Sequence, residues 1–292
     1  MVADLQHNFI DYNNYKAYSF LCMGGLCEVL IETVNKSISD HIFNTVLKEA
    51  RRIESKFSRY QTGNIVYKIN NAQGKSIKID RETYHILQFA DSLHKASFGL
   101  FDITSGVLRR VWTFDGRTPA PAPADIAPLL KKIDWKKVSY NKSQILVPKD
   151  WELDFGGLVK EYSVDFCIEK VKSLALAPTL INFGGDIAVT GPKINNQPWK
   201  IHVDQSAESL LLFEGAVATS GDKNRYVIHH GVRLGHIINP KTGWPIVGAP
   251  RSVTVAAKNC TQAGALATLS LLKGSQCEEF LKNEADVYKI IH

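Results

Sequence analysis

Asp154-Phe155-Gly156-Gly157-Leu158-Val159-Lys160-Glu161-Tyr162-Ser163-Val164-Asp165 is the most informative segment of this 292-residue chain. The pattern predicts a short apolar strand from Trp151 to Phe155, then two glycines, then a helix over residues 157–174. Glycine lets a backbone approach a ligand closely, and a helix start presents free N–H groups with a partial positive charge. Lys160 adds a full charge in the first turn, so the segment predicts a phosphate-binding site. A surface lysine on an ordinary helix is the alternative, because neither common nucleotide-binding glycine loop is matched.

Composition and charge narrow the class of protein. With 45% hydrophobic residues among 292, the chain can bury a sizeable core. The formal net charge is +6, but lysine and arginine are scattered, which argues against nucleic-acid binding and suits a small anionic ligand. No apolar run predicts a membrane span or a signal peptide. Five cysteines without a C-x-x-C pair indicate buried free thiols, so we expect a cytoplasmic protein, or an exported one if a leader has been removed.

Strand and helix patterns alternate irregularly along the chain, which favours an α+β fold over a regular βαβ repeat. Helices are predicted at residues 38–55, 81–98, 157–174, 260–272 and 275–283. Further strands are predicted at residues 23–34, 138–140, 144–147, 199–203, 210–213, 225–229, 252–257 and 285–291. The alanine- and proline-rich residues 118–124 are predicted to be a loop without regular structure. We expect one domain over residues 1–292, with residues 1–20 a loosely ordered extension.

Five further segments place polar and small residues at predicted turns or segment ends. Backbone N–H groups in tight turns can bind anions, although plain hairpin turns have the same composition. The segments are Phe57–Tyr60, Phe101–Gly106, Asn182–Asp186, Ala218–Arg225 and His236–Pro245.

Together with residues 154–165, these segments resemble, in order and spacing, the FAD:protein FMN transferases, or ApbE-type flavin transferases. The resemblance runs from about Met23 to Leu272. It implies an ApbE-like, T-fold-related arrangement of mainly antiparallel sheets with interspersed helices. It also implies Mg²⁺-assisted transfer of FMN from FAD to a Ser or Thr hydroxyl of an acceptor protein that carries a flavinylation motif, with release of AMP. Hydrolysis of FAD and binding of FAD without turnover are the alternative functions.

The same resemblance implies the site residues. Lys160 would pair with phosphate, and His236 would contact the flavin nucleotide and act as a base near neutral pH. A hydrogen-bonded core or turn histidine is the alternative for His236, and an ordinary helix cap is the alternative for Asp102 and Thr104. The residues expected to contact FAD are Met23, Tyr60, Asp102, Thr104, Gly157, Lys160, Asp165, Gly184, Gly185, Ser220, Gly221, Asp222, Arg225, His236 and Thr242.

The chain departs from the family pattern at two positions near the expected Mg²⁺ site. In the family, a carboxylate four residues before a threonine holds the metal together with a backbone carbonyl before the lysine. Here the threonine is Thr268 and the carbonyl belongs to Val159, but the carboxylate position is Gly264, which offers no side-chain oxygen to a hard cation. The second departure is Glu161, where the family usually has glycine. We expect Glu161 to supply the missing carboxylate; a solvated helix residue with weakened metal binding is the alternative.

Overall fold

The computed structural model describes residues 7–203, 209–223 and 225–292. The α-helices are α1 (Lys36–Phe57), α2 (Ile65–Asn70), α3 (Arg81–Ala96), α4 (Pro123–Leu130), α5 (Val159–Leu174), α6 (Cys260–Leu272) and α7 (Cys277–Glu284). The strands are β1 (His7–Asp11), β2 (Lys16–Cys22), β3 (Gly25–Ile31), β4 (Ile77–Lys78), β5 (Ser139–Tyr140), β6 (Gln144–Leu146), β7 (Thr179–Phe183), β8 (Asp186–Val189), β9 (Trp199–His202), β10 (Ser209–Leu212), β11 (Ala216–Gly221), β12 (Tyr226–His229), β13 (Val232–Gly235), β14 (Ser252–Ala257) and β15 (Val287–Ile291). Short 3₁₀ segments cover Ile103–Arg110, Trp135–Lys137, Ile194–Asn196 and Gly274–Gln276.

One eight-stranded antiparallel sheet forms the centre of the molecule, in the order β1-β2-β3-β7-β8-β11-β14-β15. Successive side chains of a strand point to opposite faces, and in β2 this places Tyr18, Phe20 and Cys22 in the core. Helices α1, α5 and α6 contribute to the same core, through residues such as Ile42 and Val164. The α+β class with mainly antiparallel sheets is therefore confirmed.

Smaller elements surround this layer. Strands β4, β6 and β5 form a three-stranded sheet, and β9–β10 and β12–β13 are separate hairpins. A second core joins the three-stranded sheet to α2, α3 and the segment that leads into α5, with Phe155 and Leu87 fully buried. None of the helices in the described ranges is long and apolar enough to cross a membrane.

The predicted strand from Trp151 to Phe155 is wrong, since this segment joins no sheet in the described part of the chain. Its apolar side chains are buried as the pattern predicted, but side chains and loops bind its backbone. The amide side chain of Asn70 accepts from the N–H of Leu153 (2.8 Å) and donates to its carbonyl (3.0 Å). The N–H of Asp154 donates to the carbonyl of Ile103 (2.9 Å). Hydrogen bonds to residues that are distant in the sequence thus replace a neighbouring strand.

Two further sequence predictions need correction. Residues 7–20 are not a loose extension. Strand β1 and most of β2 lie there, and the two strands pair over five residues. The alternation of β2 was overlooked because its outward face includes Ala17, Ser19 and Leu21, which are not uniformly polar. The predicted 118–124 loop ends early, because Pro123 begins α4, and proline is well suited to a first helical turn.

Candidate active site

Lys160 lies in the first turn of α5, directly after the glycine pair. Gly156 and Gly157 are exposed, and the N–H of Gly156 donates to Oδ1 of Asp154 (2.9 Å). No side chain of the described residues caps the N-terminus of α5. Its first turn therefore has uncapped backbone donors beside a lysine, and phosphate binding there stays a prediction.

A buried aspartate holds the lysine in place. Asp186, 1% exposed at the start of β8, lies with Oδ2 2.6 Å from Nζ of Lys160. Burial lowers the pKa of Lys160, but the charges of Asp186 and Glu161 outweigh this and raise it, so the amine is protonated at neutral pH. A Cβ at Gly184 would lie 3.9 Å from Nζ, which brings the Gly184-Gly185 turn beside the lysine. The sequence predicted only backbone donors in that turn, and the side chain of Asp186 was not among the predicted site residues.

Glu161 is the third member of this group, and we call Lys160, Glu161 and Asp186 the buried charge cluster. The residue is 7% exposed, which rules out the solvated-helix alternative. Its Oε2 has no hydrogen-bond partner among the described residues. Burial, and then the charge of Asp186, raise the pKa of Glu161 well above its ordinary value.

The side chain of Glu161 occupies the space above Gly264. A Cβ built at Gly264 would lie 2.5 Å from Cγ and 2.9 Å from Oε1 of Glu161, closer than side chains tolerate. Thr268 lies one turn further along α6, on the same helix face, and its Oγ1 is 2.8 Å from Oγ of Ser220. The position expected to carry a carboxylate on α6 is thus filled by a carboxylate from α5.

The chemistry of this region fits a hard cation. Groups of three or more His, Cys, Asp and Glu side chains suited to a metal do not occur in the part of the chain described here. A site would instead combine the unpartnered Glu161 oxygen with the hydroxyl of Thr268, and Mg²⁺ prefers such oxygen ligands. Val159 is buried as the first residue of α5, directly before the cluster.

His236 is half-buried and neutral. Burial, with a contribution from the nearby charge of Arg225, lowers the pKa of His236 to about 4. Within the described residues its Nδ1 has no hydrogen-bond partner, and its ring centroid lies 6.3 Å from that of Phe114. The imidazole is therefore unprotonated at neutral pH.

Two glycine-containing turns approach this region from other elements. The β2–β3 turn is anchored by Glu54, whose Oε1 accepts from the N–H of Met23 (2.6 Å), and Met23 has a left-handed φ of 54°. A Cβ at Gly24 in this turn would lie 3.9 Å from a guanidinium nitrogen of Arg225. In the second turn, the N–H of Gly185 donates to Oδ1 of Asn182 (2.8 Å). The structure thus brings Gly24, the neighbour of Met23, close to Arg225, and Gly184 close to Lys160.

Asp102 and Thr104 bond within the protein. Oδ1 of Asp102 accepts from the N–H (2.8 Å) and the hydroxyl (2.6 Å) of Thr104, and Oδ2 accepts from the N–H of Trp135 (3.0 Å). Oγ1 of Thr104 accepts from the N–H of Asp134 (3.0 Å). Asp102 therefore caps the 3₁₀ segment Ile103–Arg110, and contact of either residue with FAD stays a prediction.

Asp165 also bonds to backbone. Oδ1 accepts from the N–H of Cys260 (2.7 Å) and Oδ2 from the N–H of Thr261 (2.8 Å), so the carboxylate ties α5 to the start of α6. It also borders a cavity of about 870 Å³ between α3, α5, α6 and α7 that does not include Lys160, Glu161 or His236. Contact between Asp165 and FAD remains a prediction, as does that of the other assigned residues.

Asp222 and Thr242 also bond within the protein. Asp222 accepts from Nε of Arg233 (3.0 Å) and of Arg251 (2.9 Å), which orders the segment after Gly221. The exposed Thr242 accepts from the N–H of Trp244 (3.2 Å).

Tyr60 is 76% exposed and stacks on Arg59, which pairs with Asp154 just before the glycine pair. This ion pair was not foreseen, because 95 residues separate its partners.

The model of the ApbE family matches residues 23–291. The FAD:protein FMN transferase of Vibrio cholerae is 26% identical over 262 residues, which cover 85% of this chain and 72% of that protein. The enzyme of the same name from Haemophilus influenzae is 28% identical over 259 residues, with coverages of 82% and 75%. The crystal structure of the ApbE protein of Thermotoga maritima has a TM-score of 0.84 at 28% identity, with coverages of 98% and 94%. The flavinyl transferase ApbE of Pseudomonas stutzeri shares the fold, with a TM-score of 0.82 at 21% identity over 95% of this chain and 94% of that one. The predicted ApbE-like arrangement is thus confirmed, and the chain belongs to the ApbE family.

Proposed function

We propose that this protein transfers FMN from FAD to a Ser or Thr hydroxyl of an acceptor protein and releases AMP, with Mg²⁺ bound beside the pyrophosphate. The family and the names of its curated relatives support flavin transfer. The observation that carries the proposal is Lys160, a protonated lysine held by the buried Asp186 between two glycine turns. Such a group neutralises phosphate charge where a backbone can approach closely.

The proposed reaction is a displacement at phosphorus. The acceptor hydroxyl oxygen bonds to the FMN phosphorus, the bond from that phosphorus to the bridging oxygen breaks, and AMP leaves with the bonding electrons. Lys160 orients the pyrophosphate and stabilises the charge that builds up on its oxygens. His236 accepts the hydroxyl proton, since its imidazole is neutral and Nδ1 has no partner among the residues described.

In this proposal Glu161 and Thr268, with the carbonyl of Val159, would hold Mg²⁺. The ion would supply further stabilisation of negative charge on the pyrophosphate. FAD binding without turnover was an alternative because Gly264 lacks a carboxylate. The position of Glu161 over Gly264 supports catalysis instead.

The proposed setting is the cytoplasm. The five cysteines are free and buried, which suits a reducing compartment.

The proposed reaction is tested by incubating the protein with FAD and Mg²⁺, with and without an acceptor protein that carries a flavinylation motif. We expect AMP in the presence of acceptor, detected by chromatography, and covalent flavin on the acceptor, detected by gel fluorescence and mass spectrometry. Lys160→Ala should abolish both signals, whereas Lys172→Ala, on the exposed side of the same helix, should not. AMP and free FMN without acceptor would identify a hydrolase, and FAD binding without AMP would refute catalysis.

A further inference from the structure

Glu161 and Gly264 depend on each other. Glycine in the middle of α6 weakens the helix, and a carboxylate buried in α5 is unfavourable unless it has a partner. Each residue is therefore an unfavourable choice by itself. Together they fit, because the Glu161 side chain passes through the volume that any side chain at Gly264 would need.

The carboxyl group of Glu161 has no matching cation among the described residues. Lys160 is the nearby cation, but its Nζ lies against Asp186 at 2.6 Å. Asp165 adds further negative charge and is bonded to the start of α6. The buried charge cluster thus contains two carboxylates and one ammonium, and Oε2 of Glu161 is left without a partner. A buried and unpartnered carboxylate oxygen points to a missing cation.

We propose that Glu161 is the carboxylate ligand of a divalent cation that binds between α5 and α6, with the hydroxyl of Thr268 on the same side, and that Gly264 is required so that Glu161 can reach it. The ligand has moved from one helix to its neighbour while its position in space is kept. The inference rests on the proposed function for the role of the cation, but cation binding can be measured without FAD or an acceptor.

Direct metal binding tests the ligand. Mn²⁺, which shares the oxygen preference of Mg²⁺, is titrated into the full-length protein without FAD and followed by electron paramagnetic resonance of the free ion. We expect Glu161→Gln to weaken Mn²⁺ binding at least tenfold, because the amide keeps the shape and removes the charge. Glu169→Gln, on the exposed side of α5, is the matched control and should bind as wild type. Unchanged Mn²⁺ affinity in Glu161→Gln, or no Mn²⁺ binding by wild type at millimolar concentration, would overturn the proposal.

A ligand swap tests the relocation. Gly264→Asp by itself should disturb the site and lower the melting temperature, because its side chain overlaps Glu161. Glu161→Ala should lose Mn²⁺ binding. Combining Glu161→Ala with Gly264→Asp removes the overlap and returns a carboxylate to α6, so we expect Mn²⁺ affinity to recover at least tenfold over Glu161→Ala. Glu161→Gln is unsuitable for this pair, because it retains the overlapping Cγ.

The outcomes separate this inference from the proposed function. If the double variant binds Mn²⁺ no better than Glu161→Ala while its circular dichroism spectrum is that of wild type, the shared position is refuted. If Mn²⁺ binding follows the expected pattern but neither AMP nor transferred flavin appears, the relocated ligand stands and the transferase proposal fails.

Discussion

Replacing Gly264 by alanine should change stability in opposite directions depending on whether Glu161 is present. In a helix interior, alanine is more favourable than glycine by about 1 kcal/mol. In the wild type the new Cβ would lie 2.5 Å from Cγ of Glu161, and adding a methyl group to a filled interior costs roughly 1–3 kcal/mol. Gly264→Ala should therefore lower the free energy of unfolding of the wild type by up to about 2 kcal/mol.

In a Glu161→Ala background the overlapping atoms are absent, so Gly264→Ala should raise the free energy of unfolding by about 1 kcal/mol. The coupling between the two sites is then about 1–3 kcal/mol. Urea unfolding of the four proteins, followed by circular dichroism in EDTA, measures it without a contribution from bound cations. A Glu169→Ala background is the control, in which the penalty should persist. If Gly264→Ala stabilises the wild type, or costs the same in both backgrounds, steric overlap does not explain the glycine.

Other parts of the site give three further predictions. Lys160→Ala should weaken FAD binding by roughly 10–150-fold, because a charge-assisted hydrogen bond contributes about 1.5–3 kcal/mol; equal flavin-fluorescence titrations of wild type and variant would contradict this. Burial lowers the pKa of His236 to about 4, so its imidazole should stay neutral in NMR spectra down to pH 5. The unfolded chain binds this proton at a higher pH than the folded protein does. His236 should therefore make the stability fall as the pH drops from about 6.5 to about 4. Burial opposes ionisation of Glu82, but hydrogen bonds from Arg52, Lys56 and Tyr162 lower its pKa to about 2. Glu82→Gln should therefore reduce stability at pH 7, and the loss of stability below about pH 4.5 should be less steep than in the wild type. An unchanged acid-unfolding curve would refute that role of Glu82.

The sequence predicted helices better than contacts between distant segments. Helix α5 was found because glycines precede it and apolar residues recur at helical spacing, which are local signals. The 151–155 segment was misassigned because its apolar residues are compatible with a strand, while its partner Asn70 lies 83 residues away. Period and propensity carry no information about such partners.

The candidate site shows the same limit. Lys160 was identified from its glycines, whereas its ion-pair partner Asp186 became visible only in the folded chain. The departure at Gly264 was visible in the sequence, but whether Glu161 lay in solvent or beside α6 depended on the packing of two helices. Asp102 and Thr104 fit a ligand or a cap equally well in the sequence; their hydrogen bonds show the cap, and their contact with FAD stays a prediction.

The two helices of the site differ in how many backbone donors they leave open. At the start of α6, the N–H groups of Cys260 and Thr261 bind Asp165, and that of Gln262 binds the side chain of Asn259. The start of α5 has no such side-chain cap in the described residues. An anion that enters the site therefore meets an already neutralised dipole at α6 and an open one at α5. Under the proposed function, this asymmetry would direct the phosphates of a dinucleotide to α5 and would leave α6 to face the cation.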